Sequence, residues 1–272
     1  MPVWVLIQTG GIRNPCEYLS DEVADELLRA VLKEPAGKPI AVLVDSPGGD
    51  ARAAYRLAAL IRRHCGEFTA VIPRKAKSAA TLFLLGAKRI LLGKFGELGP
   101  LDVQLHDPER EEGMSALDEV QALERLLVFS LEALDRSMLL MVRRSGKKVK
   151  SVLPEMSNFV NNLVRPLFEK IDVVHYTQMS RMLKVAEEYA VRLLAPHYPG
   201  NVAREIANHL VVNYPEHGFV IDAEEAALFG LKTEAFSADV TAATADLWST
   251  FDTMTIVGRI TEKETPDDEQ KA

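Results

Sequence analysis

Cysteine, positive charge and long apolar runs are all in short supply in this chain. Of 272 residues only Cys16 and Cys65 are cysteines. Their spacing fits neither a disulfide framework nor a metal site, so we interpret them as reduced thiols. Aspartate and glutamate outnumber lysine and arginine by 39 to 32, for a formal net charge of −7. Nucleic acid is therefore not an expected partner, since binding to phosphates requires clustered positive charge.

Signals for membranes, secretion and cofactors are missing from the sequence as well. No apolar run approaches the ~20 residues that a membrane-spanning helix needs. The stretch from Met1 to Gln8 lacks the basic start and long apolar core of a signal peptide. Neither a dinucleotide nor a pyridoxal fingerprint is present. We expect a cytoplasmic protein with no membrane span, no metal and no cofactor.

Apolar runs alternate with amphipathic segments in the first third of the chain. The runs are typical of buried strands and lie at Val3–Gln8, Pro39–Val44, Phe68–Ile72 and Arg89–Leu92. Between them, Ser20 and Asp50 are suited to cap helices, and Ser78–Leu85 is typical of a short buried helix. This alternation predicts an α/β core whose parallel strands are covered on both faces.

The character of the sequence changes beyond the polar stretch Asp107–Gly113. Ser115 and Asp118 predict a capping box that opens a helix with an apolar stripe at Val120, Leu123, Leu127, Leu131, Leu134, Met138 and Met141. Further helices are expected at 154–171, 178–194 and 202–211, the first bending or splitting at Pro166. The basic stretch Arg143–Lys148 is either an anion site or a solvated helix connection.

A single domain is predicted over residues 1–261. Its core comprises 1–105 and 200–236, and a helical insertion occupies about 114–198. A short strand at Phe219–Ile221 and a helix capped by Asp222 complete the core. The polar, acidic residues 262–272 are expected to be a disordered tail.

Two segments at predicted strand-to-helix transitions carry the residues for acyl chemistry. Asp45-Ser46-Pro47-Gly48-Gly49-Asp50 offers paired glycines whose N–H groups are open to close approach. Pro73-Arg74-Lys75-Ala76-Lys77-Ser78-Ala79-Ala80-Thr81 offers a hydroxyl at a helix start. Ser78 could act as a nucleophile, with the amides of Gly48, Gly49 and Ala79 as oxyanion donors. Taken singly, the same residues also fit an N-cap and a turn.

In this order and spacing the two segments resemble the Clp protease/crotonase superfamily. There an "S/T-P-G-G" loop follows one core strand, and a serine begins the helix after the next. The chain is most similar to the serine dehydrogenase proteinase family, whose "A-K-S-A-G-T" and "G-P-I-D-P-Q" motifs correspond to Ala76–Thr81 and Gly99–Gln104. The superfamily's C-terminal "E-A-x-x-x-G-L" helix appears as Glu225–Leu231. The resemblance covers about residues 1–105 and 200–236, and it implies a spiral of ββα units with a helical insertion and C-terminal helices.

The resemblance leaves the general base open. Clp-type proteases place a histidine on the strand after the serine helix, but the nearest here is His106, a few residues late. Signal peptide peptidase relatives use a later lysine, and none occurs between Lys94 and Lys147. His217 is the first choice, because a histidine precedes the last core strand in the family too. Lys77 is a third candidate.

Two further positions qualify this interpretation. Asp102 could orient a histidine or simply hold its loop. The family's glycine after Ser-Ala is Ala80 here, which narrows the space beside the serine.

Three functions follow as hypotheses. The first is a serine endopeptidase acting on a peptide or protein through an acyl-enzyme. The second is a catalytically inactive assembly member of the fold. The third is a crotonase-type acyl-CoA enzyme, with Glu97 and Asp102 as possible carboxylates. The resemblance also implies a homo-oligomer, to which the striped helix from Ser115 to Val142 could contribute.

Overall fold

A computed structural model describes residues 1–8, 16–106, 113–248 and 255–260, with the backbone alone at 104–106, 113 and 114. The chain divides into two compact units. The larger comprises Met1–Asp102 and Ala186–Ala272, and the smaller comprises Val103–Val185. None of the helices in the described ranges combines the length and apolar character needed to cross a bilayer. The predicted acidic tail lies outside these ranges.

The larger unit is built on a six-stranded sheet. Within the described ranges the strands are, in chain order, β1 (Val3–Ile7), β2 (Ile40–Asp45), β3 (Phe68–Ile72), β4 (Lys75–Ala76), β5 (Arg89–Leu92), β6 (Glu97–Leu98), β7 (Gln104–His106), β8 (Gly113–Ser115), β9 (Glu234–Ala235) and β10 (Ile256–Ile260). The sheet order is β10-β1-β2-β3-β5-β9. All neighbours pair in parallel except β10, which runs antiparallel to β1. The predicted α/β core is confirmed.

Helices cover the sheet and form most of the smaller unit. They are α1 (Asp21–Val31), α2 (Ala51–Cys65), α3 (Ala79–Leu84), α4 (Ala116–Ser145), α5 (Val149–Phe168), α6 (Val173–Leu194), α7 (Gly200–Val212), α8 (Ala223–Leu228) and α9 (Ala238–Ala245). The Ser20 and Asp50 side chains accept hydrogen bonds from Val23 N and Ala53 N, as their capping positions predict. One sheet face packs Val5, Ile7, Leu43 and Val71 against Phe236, Val240 and Leu247.

Beyond the carboxyl ends of β2 and β3, short backbone pairings form a second, smaller ladder of four separate segments. Ser46 bridges to Ala76 in parallel, Ala76 pairs with Leu98 in the β4–β6 ladder, and Leu98 bridges to Ile221 in antiparallel. Strand-to-strand spacing is ~4.8 Å. The Ser46, Ala76 and Leu98 segments run in parallel, and the Ile221 segment runs in the opposite direction. The residues after Ser46, Ala76 and Leu98 therefore lie at the same end of the ladder as the residues before Ile221.

Two expectations about the elements are corrected, and two strands were not predicted. Phe219–Ile221 does not form a strand, because only Ile221 bridges to Leu98. The helix containing Pro166 is not split there, since α5 runs from Val149 through Pro154 and Pro166 to Phe168. The edge strands β9 and β10 were not predicted. Their identity depends on pairing with distant strands rather than on a local apolar run.

The buried aromatic contact between α3 and β3 leads to a stability prediction. Phe83 of α3 is fully buried, and its ring centroid lies 5.2 Å from that of Phe68. Phe83→Ala should lower the free energy of unfolding by about 3–5 kcal/mol, because it removes a large side chain and leaves a cavity. Urea denaturation measures this change. Leu228→Ala, at a side chain that is 81% exposed, is the control and should stay within about 0.5 kcal/mol of wild type. Equal losses for the two would contradict the packing described.

Candidate active site

The glycine loop lies directly against the start of helix α3. Gly48 has φ +101° and Gly49 has φ +149°, backbone conformations that other residues rarely adopt. A Cβ built on Gly48 would stand 2.5 Å from the Lys77 carbonyl oxygen, 2.9 Å from Ala79 N and 3.0 Å from Ser78 Cβ. The absence of a side chain at Gly48 is therefore what lets the two loops touch. Both sequence segments meet at one place in the larger unit.

Ser78 has an unusual backbone conformation. Its φ of 50° makes it the single non-glycine residue with positive φ in the described part of the chain. Such a conformation costs roughly 1–3 kcal/mol, and strain of this kind clusters at functional sites. Ser78 precedes α3, but its hydroxyl makes no capping hydrogen bond, and the residue is half-buried. The simple N-cap interpretation of Ser78 does not describe this geometry.

The amides around Ser78 divide into engaged and unengaged donors. Gly48 N–H donates to Ser46 Oγ at 3.1 Å. By contrast, Gly49 N–H and Ala79 N–H have no acceptor among the residues that the structure describes. Unsatisfied amides at a strained turn are the groups that an oxyanion hole requires. The geometry thus separates Gly48, which allows close approach, from Gly49 and Ala79, which retain free donors.

A buried side-chain network supports this loop, and sequence reasoning did not identify it. Ser46 and Gln8 are both fully buried. Ser46 Oγ donates to Gln8 Oε1 at 2.6 Å while accepting from Gly48 N–H. Gln8 Nε2 in turn donates to the Cys16 carbonyl at 2.7 Å. The network holds the Gly48 peptide through these hydrogen bonds, since buried polar side chains need partners.

An ion pair lies beside this network. Asp45 is fully buried, and its Oδ2 lies 2.8 Å from Arg74 Nη2. Burial raises the pKa of Asp45, while Arg74 opposes that shift. The pair fastens the last residue of β2 to the segment leading to β4. A polar residue at the end of an apolar strand, as at Gln8 and Asp45, was the available sequence signal for both features.

The Lys77 ammonium group is engaged by other partners, so it does not fit the role of a free general base. Its Nζ donates to the carbonyls of Leu98 and Phe219, at 3.1 and 3.2 Å, and lies 2.9 Å from Glu97 Oε1. Three partners match the three donors of an ammonium group. The side chain joins the serine segment to β6 and to the segment before Ile221.

Asp102 and His217 are brought together at the same end of the small ladder as Ser78. His217 Nδ1 lies 3.9 Å from Asp102 Oδ2, a distance that must shorten by about 1 Å to form a hydrogen bond. Asp102 is buried and the His217 side chain is 30% exposed. Burial lowers the pKa of His217, Asp102 raises it, and Lys77 adds to the lowering. The net shift favours a neutral imidazole, the form that can accept a proton.

The remaining candidate is His106, which ends strand β7 in the smaller unit. Its side chain lies outside the described atoms, so a catalytic role for it stays a prediction. Ala80, which replaces the family's glycine, is fully buried within α3.

The close approach at Gly48 leads to a testable outcome. Gly48→Ala should destabilise the protein by at least about 2 kcal/mol more than Gly37→Ala, because the new methyl group meets the Lys77 carbonyl as well as a strained φ. Gly37 is the matched control, with φ +75° and no atom within 4 Å of a Cβ placed there. Urea unfolding compares the two. Similar losses would mean that the loops do not touch as described.

Comparison with known proteins places these features in a family. A family model described as "ClpP-like SDH-type serine proteinase" matches residues 15–173. Two proteins of Methanocaldococcus jannaschii are similar. Uncharacterized protein MJ0137 is 23% identical over 205 residues, which are 75% of this chain and 65% of that protein. Uncharacterized protein MJ1495 is 33% identical over 89 residues, which are 33% and 30%. The chain therefore spans less than two thirds of the length of either relative.

Two solved structures are similar at low sequence identity. A mutant of the 1510-N membrane-bound stomatin-specific protease has a TM-score of 0.47 and 12% identity, covering 84% of this chain and 79% of that one. A mutant ClpP1 from Listeria monocytogenes has a TM-score of 0.30 and 15% identity, covering 55% and 75%. The family model matches more than half of the chain. This protein therefore belongs to the ClpP-like SDH-type serine proteinase family and has the ClpP-like fold.

Proposed function

We propose that this protein is a serine peptidase that cleaves a peptide or protein through an acyl-enzyme. One observation carries the proposal: Ser78, in a strained conformation and with no capping bond from its hydroxyl, lies against Gly48 of the glycine loop, and the Gly49 and Ala79 amides next to these two residues in the chain have no acceptor among the described residues. Membership of a serine proteinase family supports the same chemistry. Cleavage of a peptide carbonyl through an acyl-enzyme uses both a nucleophile and an oxyanion hole.

In this proposal the reaction proceeds in two halves. Ser78 Oγ attacks the scissile carbonyl carbon while His217 accepts the hydroxyl proton, and the amides of Gly49 and Ala79 stabilise the oxyanion. His217 then gives that proton to the leaving amine as the C–N bond breaks, which leaves an ester on Ser78. Water, deprotonated by His217, attacks the ester, and Ser78 regains its proton. Each oxyanion donor contributes on the order of 10²–10³ in rate.

Asp102, Lys77 and Ser46 act as positioning residues in this scheme. Asp102 lies on the Nδ1 side of His217, where it holds the tautomer that leaves Nε2 free to accept a proton. Lys77 ties the serine segment to the Phe219 carbonyl, two residues after His217. Ser46 holds the Gly48 peptide, which aims the next amide in the chain.

The crotonase-type alternative is not favoured by the geometry. It requires a carboxylate that can donate and accept protons, but Glu97 is paired with Lys77 at 2.9 Å. Asp102 faces His217 instead. Both carboxylates therefore already have partners that suit a serine hydrolase.

A fluorophosphonate probe tests the nucleophile directly. Wild-type protein should be labelled covalently, and Ser78→Ala should lose at least ~99% of the labelling, because the proposed nucleophile is gone. Ser151→Ala, at an exposed helix position, is the control and should label as wild type does. Labelling that survives Ser78→Ala, measured by intact-mass spectrometry, would reject the assignment.

The titration of His217 gives a second prediction. The labelling rate should rise with pH as the imidazole loses its proton, with a midpoint below the ordinary histidine value of ~6.5, because burial lowers the pKa of His217. Asp102→Asn should move this midpoint lower still, since the carboxylate that raises the pKa is gone, and should also reduce the plateau rate. His217→Ala should remove the pH dependence in this range. An unchanged profile in His217→Ala would show that another group is the base.

A further inference from the structure

The connection between α4 and α5 carries a dense cluster of positive charge in an acidic protein. From residue 136 to residue 154 the chain contains six cations and no acid, although its formal net charge is −7. Arg136 is paired with Glu132, one turn earlier in α4. The other five cations, which we call the basic tip, are Arg143, Arg144, Lys147, Lys148 and Lys150.

The fold gathers the basic tip at one end of a helical hairpin in the smaller unit. Helix α4 ends at Ser145, Gly146 stops it in a left-handed conformation with φ 64°, and α5 begins at Val149. At a rise of 1.5 Å per residue, each cation lies within about one helical turn, ~5 Å, of the connection. This distance is shorter than the ~8 Å Debye length at physiological ionic strength. The five charges therefore attract an anionic partner together.

The charge of the basic tip is not neutralised by the protein itself. Among the residues that the structure describes, none of the five cations has an ion-pair partner, and all five are exposed. In the larger unit, by contrast, Arg74 and Lys77 are paired with Asp45 and Glu97. The basic tip is thus accessible to an external anion.

Large apolar side chains accompany the basic tip. Val149 lies between two of the lysines in the chain and is 57% exposed. Leu153, one turn further along α5, is 44% exposed. On α4 the consecutive residues Leu139, Leu140 and Met141 are 54%, 47% and 38% exposed. A run of three exposed apolar residues does not contribute to a folded core, so it calls for a functional explanation.

The combination of cations and aliphatic side chains indicates which anionic partner fits. A nucleic-acid strand is held by aromatic stacking as well as by phosphate contacts, and residues 136–154 contain no aromatic side chain. An acidic polypeptide supplies carboxylates but nothing that matches the exposed leucines. An anionic membrane surface supplies both partners, because its headgroups attract cations and its acyl boundary accepts apolar side chains.

We propose that the basic tip and its apolar neighbours form a peripheral docking surface for membranes that contain anionic phospholipids. The end of the hairpin lies along the surface, where the cations contact headgroups and Leu139, Leu140 and Val149 enter the boundary with the acyl chains, at a depth of ~5–10 Å. The long stems of lysine and arginine permit this, since they return the charge to the headgroup level. The inference is independent of the proposed peptidase activity, because it uses no residue of the candidate active site.

Vesicle co-sedimentation of the full chain tests the electrostatic part of the proposal. Wild type should bind vesicles of phosphatidylcholine with about 30% phosphatidylserine at least about tenfold more strongly than vesicles of phosphatidylcholine alone. Lys147→Gln with Lys148→Gln should weaken binding to the anionic vesicles at least about tenfold, because each lysine near such a surface strengthens binding about fivefold.

The matched control removes the same charge elsewhere. Lys33→Gln with Lys38→Gln, at exposed positions of the larger unit, should change vesicle binding by less than about twofold, because no cluster surrounds them. Equal losses for the two pairs of substitutions, or a wild type that does not prefer phosphatidylserine, overturns the proposal.

High salt isolates the apolar part, since it screens the charges. The vesicle binding that persists in high salt should fall at least about threefold in Val149→Ser, because a buried apolar side chain is lost. Serine is tolerated at this first position of α5, and circular dichroism checks that the helices remain. Leu228→Ser, at the 81% exposed residue of the larger unit, is the control and should bind as wild type does. Persisting binding that Val149→Ser does not weaken overturns the docking geometry.

Polyanion competition separates a lipid partner from other anionic macromolecules. Polyglutamate and duplex DNA, each added at the charge concentration of the vesicle surface, should leave most of the protein on the vesicles, since neither offers an apolar boundary. Complete displacement by either polyanion overturns the choice of a membrane. Ser78→Ala should bind vesicles as wild type does, so failure of the peptidase assignment and failure of membrane docking are distinguished.

Discussion

The candidate site depends on the hydrogen bonds that Ser46 makes with the segment before Ser78. Ser46 N–H donates to the Lys75 carbonyl and Lys77 N–H donates to the Ser46 carbonyl, both at 3.0 Å. These two bonds place the loop after β2 beside the strand that leads into α3. The paired glycines follow in one segment and the serine follows in the other. Both therefore lie at the same end of a short ladder. Strand β6 and the segment that bridges to it through Ile221 add Asp102 and His217.

Several charged groups of the larger unit have ion-pair partners, and His217 differs from them in its surroundings. Asp45 and Arg74 pair in the interior, and Lys77 is saturated by Glu97 and two carbonyls. These paired groups hold backbone segments together. His217 differs, since its charged form is disfavoured by burial while Asp102 lies on one side of the ring. A neutral imidazole can accept a proton, and a carboxylate beside it stabilises the imidazolium that forms.

Much of the fold was predictable because its signals are local. Phe68–Ile72 and Arg89–Leu92 are strands at the predicted boundaries, and Ser20 and Asp50 cap the helices that their side chains suit. The meeting of Gly48 with Ser78 could be expected from the two segments together. The contacts of Ser46 and of Lys77 could not, because their partners Gln8 and Phe219 are distant in sequence. The two-residue strand β9 was missed for the same reason. No periodicity exists in so short a segment.

The antiparallel strand β10 has a consequence for the other end of the chain. Its five residues pair in register with all five residues of β1, from Val3–Ile260 to Ile7–Ile256. Strand β1 therefore lies between β2 and β10, and β10 comes from a segment far along the sequence. In a truncated chain that stopped short of residue 255, Val3–Ile7 would be an edge strand with unpaired backbone amides and carbonyls. Such an exposed edge pairs with strands of other molecules and promotes aggregation.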